Sequence, residues 1–216
     1  MIDVRMFTVG PVQENCFVVR AGPQATSAVV IDPGEEAERL LNALKELGVE
    51  TVEAILLTHT HFDHVGAVAA LARATGAPVY VPDLEKHILA NINDYMRFPG
   101  FGPFESYEAE HTVEGGEELE LAGLTFDVRF TPGHSPGHVT YAVRDHDALL
   151  SGDVLFQGSV GRTDLPGGDF QVLLESIQAL LDEFPPETAV YPGHMGVTTL
   201  ARERATNPFL QELNPR

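Results

Sequence analysis

The sequence predicts an α/β fold, and two kinds of segment support this prediction. Short apolar runs recur between Gly, Pro and acidic turns and predict strands, namely FVV, AVVID, AILLTH, PVYVP, LTFDVRF, VTYAV, ALLSG and TAVYPG. Segments with helical apolar spacing lie between several of these runs. The early strands are joined by short turns and the later ones alternate with helices, which favours a mixed sheet or a pair of sheets covered by helices.

The predicted helices have recognisable ends. EEAERLLNALKELG closes at Gly48 and HVGAVAALARATG at Gly76, because glycine readily adopts the left-handed conformation that ends a helix. DFQVLLESIQALLDEF begins at Asp169, a residue type that caps helix N-termini. A short charged helix in ARERATNPFLQELNPR stops near Asn207 and Pro208. No linker or internal repeat is visible, so we expect a single domain over residues 1–216.

Residues 83–116 are predicted to form a long connection between elements. The segment RFPGFGPFESY within it is rich in Pro and Gly and contains Phe98, Phe101 and Phe104. Such a loop is either a surface excursion or an apolar flap over a site. The three phenylalanines of the 97–107 loop are therefore candidates for a lid or for a contact surface between subunits.

The composition argues against several classes of partner. The chain has 13 basic and 32 acidic side chains and a formal net charge of -19, which repels nucleic-acid phosphates and anionic membranes. No run approaches the roughly 20 apolar residues of a membrane span, and the N-terminal segment lacks the features of a secretory signal. Cys16 is the single cysteine and is expected to be a buried small apolar side chain. We expect a mature, cytoplasmic protein.

The stretch THTHFDHVGA, residues 58–67, contains an unusual density of metal-ligand side chains. Alternate side chains of an extended segment point the same way, so His59 and His61 can hold one cation. Asp63 and His64 follow at the start of the predicted helix, where a second cation can lie beside the first. A polar turn whose histidines contact water is the weaker interpretation.

Three further candidates follow predicted strands. His134 lies in FTPGHSPGH, Asp153 in LLSGDVLF and His194 in VYPGHMG. In layered α/β folds the carboxyl ends of strands gather along one edge, which is where ligands bind. We therefore expect these side chains to join the residue 58–67 cluster, although each alone would more often be a turn residue.

The remaining polar candidates receive other interpretations. His138 shares a turn with His134 and is expected to make structural hydrogen bonds rather than to bind metal. Asp32 ends the run AVVID and is either an orienting partner of a ligand histidine or a turn-forming aspartate. The other histidines are expected at the surface or in loops, namely His87, His111 and His146.

The candidate ligands indicate a catalytic metal site. Imidazole and carboxylate ligands suit zinc, manganese or iron, and the lack of cysteine ligands argues against a structural zinc site. Five histidines and two aspartates suit two divalent ions about 3.5 to 4 Å apart, with a carboxylate and a hydroxide bridging them. We expect two divalent metal ions, with zinc favoured and iron or manganese as alternatives.

The order and spacing of the seven candidates resemble the metal-binding pattern of the metallo-β-lactamase superfamily. The resemblance extends over nearly the whole chain, including Asn15, IDPG and the closing NPF. It implies an αβ/βα four-layer sandwich of two mixed sheets flanked by helices. It also implies a first metal held by His59, His61 and His134, a second held by Asp63, His64 and His194, and Asp153 as the bridge.

Within that superfamily, GDVLFQGSVGRTDLPGGD and ERATNPFL are most similar to the short glyoxalase II-like branch, the hydroxyacylglutathione hydrolases. In that branch a basic residue after the bridging aspartate contacts glutathione, and Arg162 has this position. Arg162 is equally suited to a structural role in its turn. Two features depart from the branch: we expect no extra C-terminal helical domain, and GHM stands where GHG is more common.

The resemblance implies hydrolysis of a thioester such as S-D-lactoylglutathione by a metal-bridging hydroxide, with Asp63 orienting the water or relaying its proton. The main alternative is a persulfide dioxygenase with one iron held by His59, His134 and Asp153, and lactonase activity is another. A nuclease is disfavoured by the few basic residues, and a non-enzymatic metal-holding module by the complete ligand set. The expected partner is a small molecule, and a monomer or a small homo-oligomer is compatible with the sequence.

Overall fold

Two six-stranded sheets form the centre of the protein. The structure is a computed structural model that describes residues 1–95 and 100–213. The first sheet contains, in both chain and spatial order, β1 (Asp3–Val9), β2 (Glu14–Arg20), β3 (Ser27–Ile31), β4 (Thr51–Leu56), β5 (Val79–Pro82) and β6 (His111–Val113). Strands β3 to β6 are parallel to one another, whereas β1 and β2 run antiparallel to their neighbours, so the sheet is mixed as predicted.

The second sheet is also mixed. Its strands are β7 (Glu118–Leu121), β8 (Leu124–Phe130), β9 (Val139–Val143), β10 (Ala148–Gly152), β13 (Ala189–Pro192) and β14 (Thr198–Thr199). Their spatial order is β14-β13-β10-β9-β8-β7, and β10 pairs with β13 in parallel while the other pairs are antiparallel. A separate hairpin follows β10 and consists of β11 (Leu155–Phe156) and β12 (Ser159–Val160).

Helices cover the outer faces of both sheets. They are α1 (Ala37–Glu46), α2 (Phe62–Val65), α3 (Val68–Thr75), α4 (Lys86–Ala90), α5 (Ile92–Tyr95), α6 (Phe170–Glu183) and α7 (Leu200–Thr206). Two 3-10 helices span Asp83–Glu85 and Pro208–Leu213. Among the described residues no helix is long and apolar enough to cross a membrane.

Alternation along β2 shows how the layers are held together. Its side chains are all buried, because strand residues point alternately to the two faces of a sheet and both faces are covered here. Cys16 and Val18 pack toward α1 and α3, whereas Phe17 and Val19 pack against the second sheet. Strand β2 therefore contributes to two separate cores, and Cys16 is buried as predicted.

The core between the sheets and the core under α6 complete the layers. Phe126 and Tyr141 of the second sheet are buried in the inter-sheet core, and the Tyr141 hydroxyl donates to the Leu57 carbonyl at 2.9 Å. On the far side, Leu173 and Ile177 of α6 pack against the second sheet. The order helix, sheet, sheet, helix is the predicted αβ/βα four-layer sandwich.

Several predicted helix ends are confirmed. Gly48 and Gly76 follow α1 and α3 with positive φ angles of 72° each. The Asp169 carboxylate accepts a hydrogen bond from the Val172 amide at 3.1 Å, so it caps α6. Helix α7 ends immediately before Asn207, also as predicted.

The prediction of a single helix from HVGAVAALARATG is wrong, because the segment forms parts of two helices. Helix α2 ends before Gly66, and α3 begins at Val68. The amide of Ala67 donates to the carbonyls of Pro33 and Gly34, at 3.0 and 2.7 Å, instead of continuing the helical pattern. Contacts with the loop after β3 thus override the local helical preference.

The long connection predicted over residues 83–116 is also corrected in part. It contains a 3-10 helix, α4, α5 and β6, whose short lengths hid them from periodicity. Phe98 lies outside the described residues, whereas Phe101 and Phe104 pack on Phe62, with ring centroids 4.9 and 5.4 Å away. Phe101 and Phe104 therefore lie next to the predicted ligand helix, and the choice between lid and contact surface stays a prediction.

Candidate metal centre

The ends of four strands converge where the two sheets meet. The segment with His59 and His61 follows β4 of the first sheet. His134, Asp153 and His194 follow β8, β10 and β13 of the second sheet. The structure therefore brings together the residue 58–67 cluster and the three distant candidates at one edge, which is the arrangement expected of strand carboxyl ends.

Three ring nitrogens form the first group. The Nε2 atom of His59 lies 3.1 Å from Nδ1 of His61 and 3.2 Å from Nε2 of His134. Nδ1 of His61 and Nε2 of His134 are 2.8 Å apart. These three atoms point to a common position and constitute one possible metal-binding group.

In His134 and His59, the ring nitrogen that points away from the common position makes a hydrogen bond. This bond determines which nitrogen of each ring carries the lone pair. His134 donates from Nδ1 to the Arg162 carbonyl at 2.7 Å, so its Nε2 carries a lone pair. The Thr58 hydroxyl donates to Asp32 at 2.6 Å and therefore accepts from His59 Nδ1 at 3.0 Å. His59 Nε2 is consequently also free of a proton in the neutral ring.

A second group lies beside the first and consists of Asp63, His64 and His194. Oδ2 of Asp63 is 3.2 Å from Nε2 of His194 and 4.0 Å from Nε2 of His64. His64 donates from Nδ1 to Asp32 at 3.0 Å, which leaves the lone pair of Nε2 directed at the site. Asp32 thus contacts a candidate ligand directly, in agreement with the orienting interpretation.

The carboxylate of Asp153 lies between the two groups. Its Oδ1 is 3.4 Å from Nε2 of His64, and its Oδ2 is 3.5 Å from Nε2 of His134 and 3.6 Å from Nε2 of His194. Oδ1 therefore faces the second group, whereas Oδ2 faces both groups. This is the placement that a bridging carboxylate requires.

Unpaired buried atoms provide a test of whether these residues suit metal ions. Among the described residues, His64 Nε2 and Asp153 Oδ1 are buried without a hydrogen-bond partner. Nitrogen ligands of a tetrahedral zinc ion, each about 2.0 Å from it, lie roughly 3.3 Å apart. The three lone pairs of the first group, 2.8 to 3.2 Å apart, come close to that separation. The donor set therefore fits divalent cations.

The charges of the site differ between its two groups. Burial, and then neighbouring histidines, lower the pKa of His59 well below its usual value and that of His61 to about 3. Burial also opposes the charged form of His64 and His194, but nearby carboxylates outweigh it and raise both pKa values. His59 and His61 thus offer neutral imidazoles, whereas protons compete with a metal for His64 and His194.

The carboxylates of the site have lowered pKa values. Burial disfavours the charged form of Asp63 and Asp153, yet the surrounding histidines more than compensate and hold both pKa values below the usual range. Both side chains are consequently ionised near neutral pH, as ligands of divalent cations must be.

His138 supports the site without joining the ligand groups. Its Nε2 accepts the backbone amide of Asp153 at 3.1 Å, and its Nδ1 faces the Thr131 hydroxyl at 3.1 Å. Both ring nitrogens are thereby occupied, as the structural interpretation expected. His87 and His111 are exposed on α4 and β6, and His146 lies in a turn.

Glu85 is a supporting residue that the sequence did not identify. Its buried carboxylate accepts hydrogen bonds from the amide and hydroxyl of Thr60, at 2.8 and 2.9 Å. It also accepts from the Ser135 hydroxyl at 2.5 Å and the Gly137 amide at 2.9 Å. Glu85 therefore joins the loop of His59 and His61 to the loop of His134, although nothing in PVYVPDLEKH marks it.

The loop of His194 has its own support. Asn15 donates from Nδ2 to the carbonyls of Pro192 and Met195, at 3.0 and 2.8 Å. A Cβ atom at Gly193 would lie 2.3 Å from Oδ1 of Asp153 and 2.6 Å from Cε1 of His64. Only glycine permits this close approach, which places the His194 loop against the other candidates.

A second missed residue is Glu14, at the start of β2. Its carboxyl group is fully buried, has no hydrogen-bond partner among the described residues, and approaches Nδ1 of His64 to 3.7 Å. Burial raises the pKa of Glu14 well above its usual value, and nearby carboxylates add to the effect. Glu14 is thus a buried carboxyl behind the second group.

The site opens into a cavity of about 530 Å³. His61, Asp63 and Asp153 line it, as do several apolar side chains. Arg162 also lines it, and its exposed guanidinium pairs with both oxygens of Asp164 at 2.7 and 2.8 Å. A small molecule can therefore reach the candidate ligands, and a cationic side chain lies at the cavity.

Comparisons with known proteins agree with this geometry. A sequence profile of the Metallo-beta-lactamase superfamily matches residues 9–194. "Probable metallo-hydrolase YqgX" of Bacillus subtilis is 41% identical over 95% of this chain and 96% of that protein. "Hydroxyacylglutathione hydrolase GloC" of Haemophilus influenzae is 33% identical over 97% of this chain and 98% of that protein.

Solved structures give the same result. The B3 metallo-beta-lactamase BLEG-1 superposes with a TM-score of 0.89 and 42% identity, covering 97% of this chain and 99% of its own. TTHA1623 in a di-iron-bound form superposes with a TM-score of 0.85 and 44% identity, covering 96% of this chain and 100% of its own. ETHE1 from Myxococcus xanthus superposes with a TM-score of 0.75 and 29% identity, covering 95% of this chain and 83% of its own. The sequence profile, relatives that match along nearly their whole length and the shared sandwich all agree, and the chain belongs to the metallo-β-lactamase superfamily.

Proposed function

We propose that this protein is a metal-dependent thioester hydrolase of the glyoxalase II-like branch, acting on a substrate such as S-D-lactoylglutathione. The observation that carries the proposal is the position of Asp153 between two ligand groups, because a bridged pair of divalent ions suits hydrolysis by activated water. The similarity to GloC, named a hydroxyacylglutathione hydrolase, supports this choice of substrate.

The proposed ligands divide between two ions. His59, His61 and His134 would hold the first and Asp63, His64 and His194 the second, with Asp153 bridging them. When bound, divalent cations supply Lewis acidity toward a carbonyl oxygen and lower the pKa of bound water. Zinc, iron and manganese all suit these ligands, and the di-iron form of TTHA1623 shows that a relative at 44% identity accommodates iron.

Asp63 is proposed to act on the water nucleophile. Its ionised carboxylate lines the cavity and contacts Nε2 of His194 through Oδ2. A carboxylate at this place can orient a water molecule and accept its proton. The thiolate that leaves a thioester needs no protonation, so the mechanism requires no separate acid.

Arg162 is proposed to bind the anionic part of the thioester. Its backbone carbonyl is fixed by His134, whereas its side chain is exposed at the cavity. A guanidinium can exchange an exposed aspartate partner for a substrate carboxylate at little cost, because exposed ion pairs are weak. Asp164 would then compete with the substrate.

The proposal is tested by following the loss of thioester absorbance of S-D-lactoylglutathione. Protein prepared with zinc, with manganese and with iron is measured before chelation, after chelation and after metal is restored. We expect turnover that chelation abolishes and metal restores. No turnover with any of the three metals would reject the substrate.

The alternative reaction is persulfide oxidation, because the His-rich motif and the GRTD segment of this chain resemble those of persulfide dioxygenases. That reaction would use one iron at His59, His134 and Asp153. It predicts persulfide-dependent oxygen uptake by the iron-loaded protein and no need for His194. Hydrolysis of lactones is a third activity that the same preparations can test.

A further inference from the structure

Met195, next to the candidate ligand His194, has a backbone conformation that glycine normally adopts. Its φ angle is +69°, in the left-handed region that L-residues with a side chain seldom occupy. The conformation is imposed by neighbours, because Asn15 binds the Met195 carbonyl at 2.8 Å and the ring of His194 binds Asp63 at 3.2 Å. Glycine would meet this requirement without strain.

Packing does not account for a methionine at this position. The residue is 54% exposed, which is high for a large apolar residue, and it lies outside the three apolar cores of the described chain. Instead it lines the 530 Å³ cavity at the candidate metal centre. A strained backbone together with an exposed apolar side chain at a site indicates a role in binding.

The wall around Met195 has the same apolar character. The apolar side chains that line the cavity with it are Val12, Phe62, Phe156, Val160 and Leu165. The guanidinium of Arg162 also lines the cavity, and it is paired with Asp164. Much of the cavity surface therefore suits an uncharged hydrocarbon group.

We propose that Met195 is a specificity-determining residue and that, with this apolar wall, it forms a subsite for an aliphatic acyl chain of the substrate. The inference rests on the proposed thioester hydrolysis and deepens it. Arg162 would contact the thiol-derived part, and the apolar subsite would select the acyl part. The strain at Met195 is then retained because its side chain contacts the substrate.

The first test compares hexanoyl and acetyl thioesters of N-acetylcysteamine, which share one uncharged thiol. A fully buried methylene changes an equilibrium about fourfold, so partial burial of four methylenes predicts a kcat/KM ratio of at least about 10 for hexanoyl over acetyl. Met195→Gly should lower this ratio about 5- to 10-fold, whereas Met195→Leu should retain it. An unchanged ratio in Met195→Gly would overturn the proposal.

The second test does not depend on turnover. Titration calorimetry of the zinc-loaded protein should show hexanoate binding at least about 10-fold tighter than acetate, with the preference reduced in Met195→Gly and kept in Met195→Leu. Equal binding of the two acids by the wild-type protein would overturn the subsite. A clear preference without thioester turnover would reject the proposed reaction and leave the apolar subsite standing.

The third readout is stability. Met195→Gly should raise the Tm by about 1 to 3 °C because it relieves the left-handed strain, whereas Met195→Leu should leave the Tm unchanged. A higher Tm together with a lower hexanoyl preference shows that the methionine is kept for binding. A lower Tm in Met195→Gly would show that Met195 stabilises the fold, which contradicts the proposal.

Discussion

The carboxylate of Asp32 accepts a hydrogen bond from Nδ1 of His64 at 3.0 Å. The oxygen that accepts from His64, Oδ2, also accepts a hydrogen bond from the Thr58 hydroxyl. That hydroxyl in turn accepts a hydrogen bond from Nδ1 of His59. One buried aspartate therefore orients a candidate ligand of each group and fixes the proton of each ring on the side away from the site. This arrangement links the loop after β3 to both proposed metal positions.

Replacing Asp32 by Asn should weaken metal binding. One oxygen of Asp32 accepts from the Thr58 hydroxyl and His64 Nδ1, and the other accepts from the Thr58 backbone amide. The NH2 group of an asparagine therefore faces an N–H donor in either orientation, and this repulsion displaces the side chain from its orienting position. Loss of such a partner typically lowers metal affinity about 10- to 100-fold. Competition with a chromophoric chelator measures this change for zinc.

Asp127→Asn provides the control for Asp32→Asn. Asp127 is another buried aspartate, but it pairs with Arg144 at a distance from the candidate ligands. Its replacement should lower stability without changing zinc affinity. If both variants bound zinc as tightly as the wild type, the orienting role of Asp32 would be rejected.

Replacing Glu85 by Gln should reduce both stability and metal affinity. Each oxygen of Glu85 accepts from one backbone amide, of Thr60 or of Gly137, so the NH2 group of a glutamine faces an N–H donor in either orientation. A buried unsatisfied group costs about 1 to 3 kcal/mol. The loops of His61 and His134 would then be less firmly joined. Urea unfolding and zinc titration give the two values.

Glu203→Gln is a matched control for Glu85→Gln, because Glu203 is also a buried carboxylate with several donors. It accepts from the Gly158 amide, the Thr198 hydroxyl and the Asn207 amide, none of which lies in a candidate ligand loop. It should lose a similar unfolding free energy while its zinc affinity is retained. Equal losses of zinc affinity in the two variants would show that Glu85 acts only on global stability.

The pH dependence of stability should have opposite signs with and without metal. His64 and His194 have raised pKa values, so their contribution is fully present below the unfolded value of about 6.5 and is lost as pH rises through the folded values. The metal-free protein should therefore become less stable above about pH 6.5. The zinc-loaded protein should become more stable, because fewer protons compete for the ligands.

Thermal unfolding with and without a chelator, at several pH values above neutrality, checks this prediction. The acidic protein gains further negative charge as pH rises, which lowers its stability in any case. The slope of Tm against pH must therefore be compared with that of the His194→Asn variant. The metal-free slope should be smaller in that variant. A metal-free protein whose Tm rose in parallel with that of the loaded protein would contradict the assignment.

Arg162→Ala should raise the KM for S-D-lactoylglutathione about 3- to 10-fold with a smaller effect on kcat, because it removes a ground-state ionic contact. Asp164→Asn should lower the KM by releasing the guanidinium from its 2.7 Å partner. Steady-state kinetics at low and high salt measure both effects. A fall in kcat with constant KM in Arg162→Ala would instead indicate the structural role.

The sequence was sufficient to locate the candidate ligands, because each lies in a short local pattern at the end of a strand. His134 and His194, for example, follow Pro-Gly turns after apolar runs. The superfamily and the four-layer sandwich were also predicted correctly. The edge strand β1 was missed because its partly exposed residues do not form a continuous apolar run.

The supporting contacts were beyond sequence reasoning because they depend on distant segments. Glu85 binds Ser135, 50 positions away, and Asn15 binds Met195, 180 positions away. The division between α2 and α3 likewise follows from bonds of Ala67 to the loop after β3. Local preferences carry no information about such partners.

We propose that the seven candidate ligands hold two ions in two distinguishable groups. Elemental analysis of zinc-loaded protein tests it most directly, with His134→Ala and His194→Ala measured beside the wild type. We expect two zinc ions per wild-type chain and fewer than two in each variant, because each variant loses a ligand from a different group. Two ions retained in either variant, or none in the wild type, would contradict it.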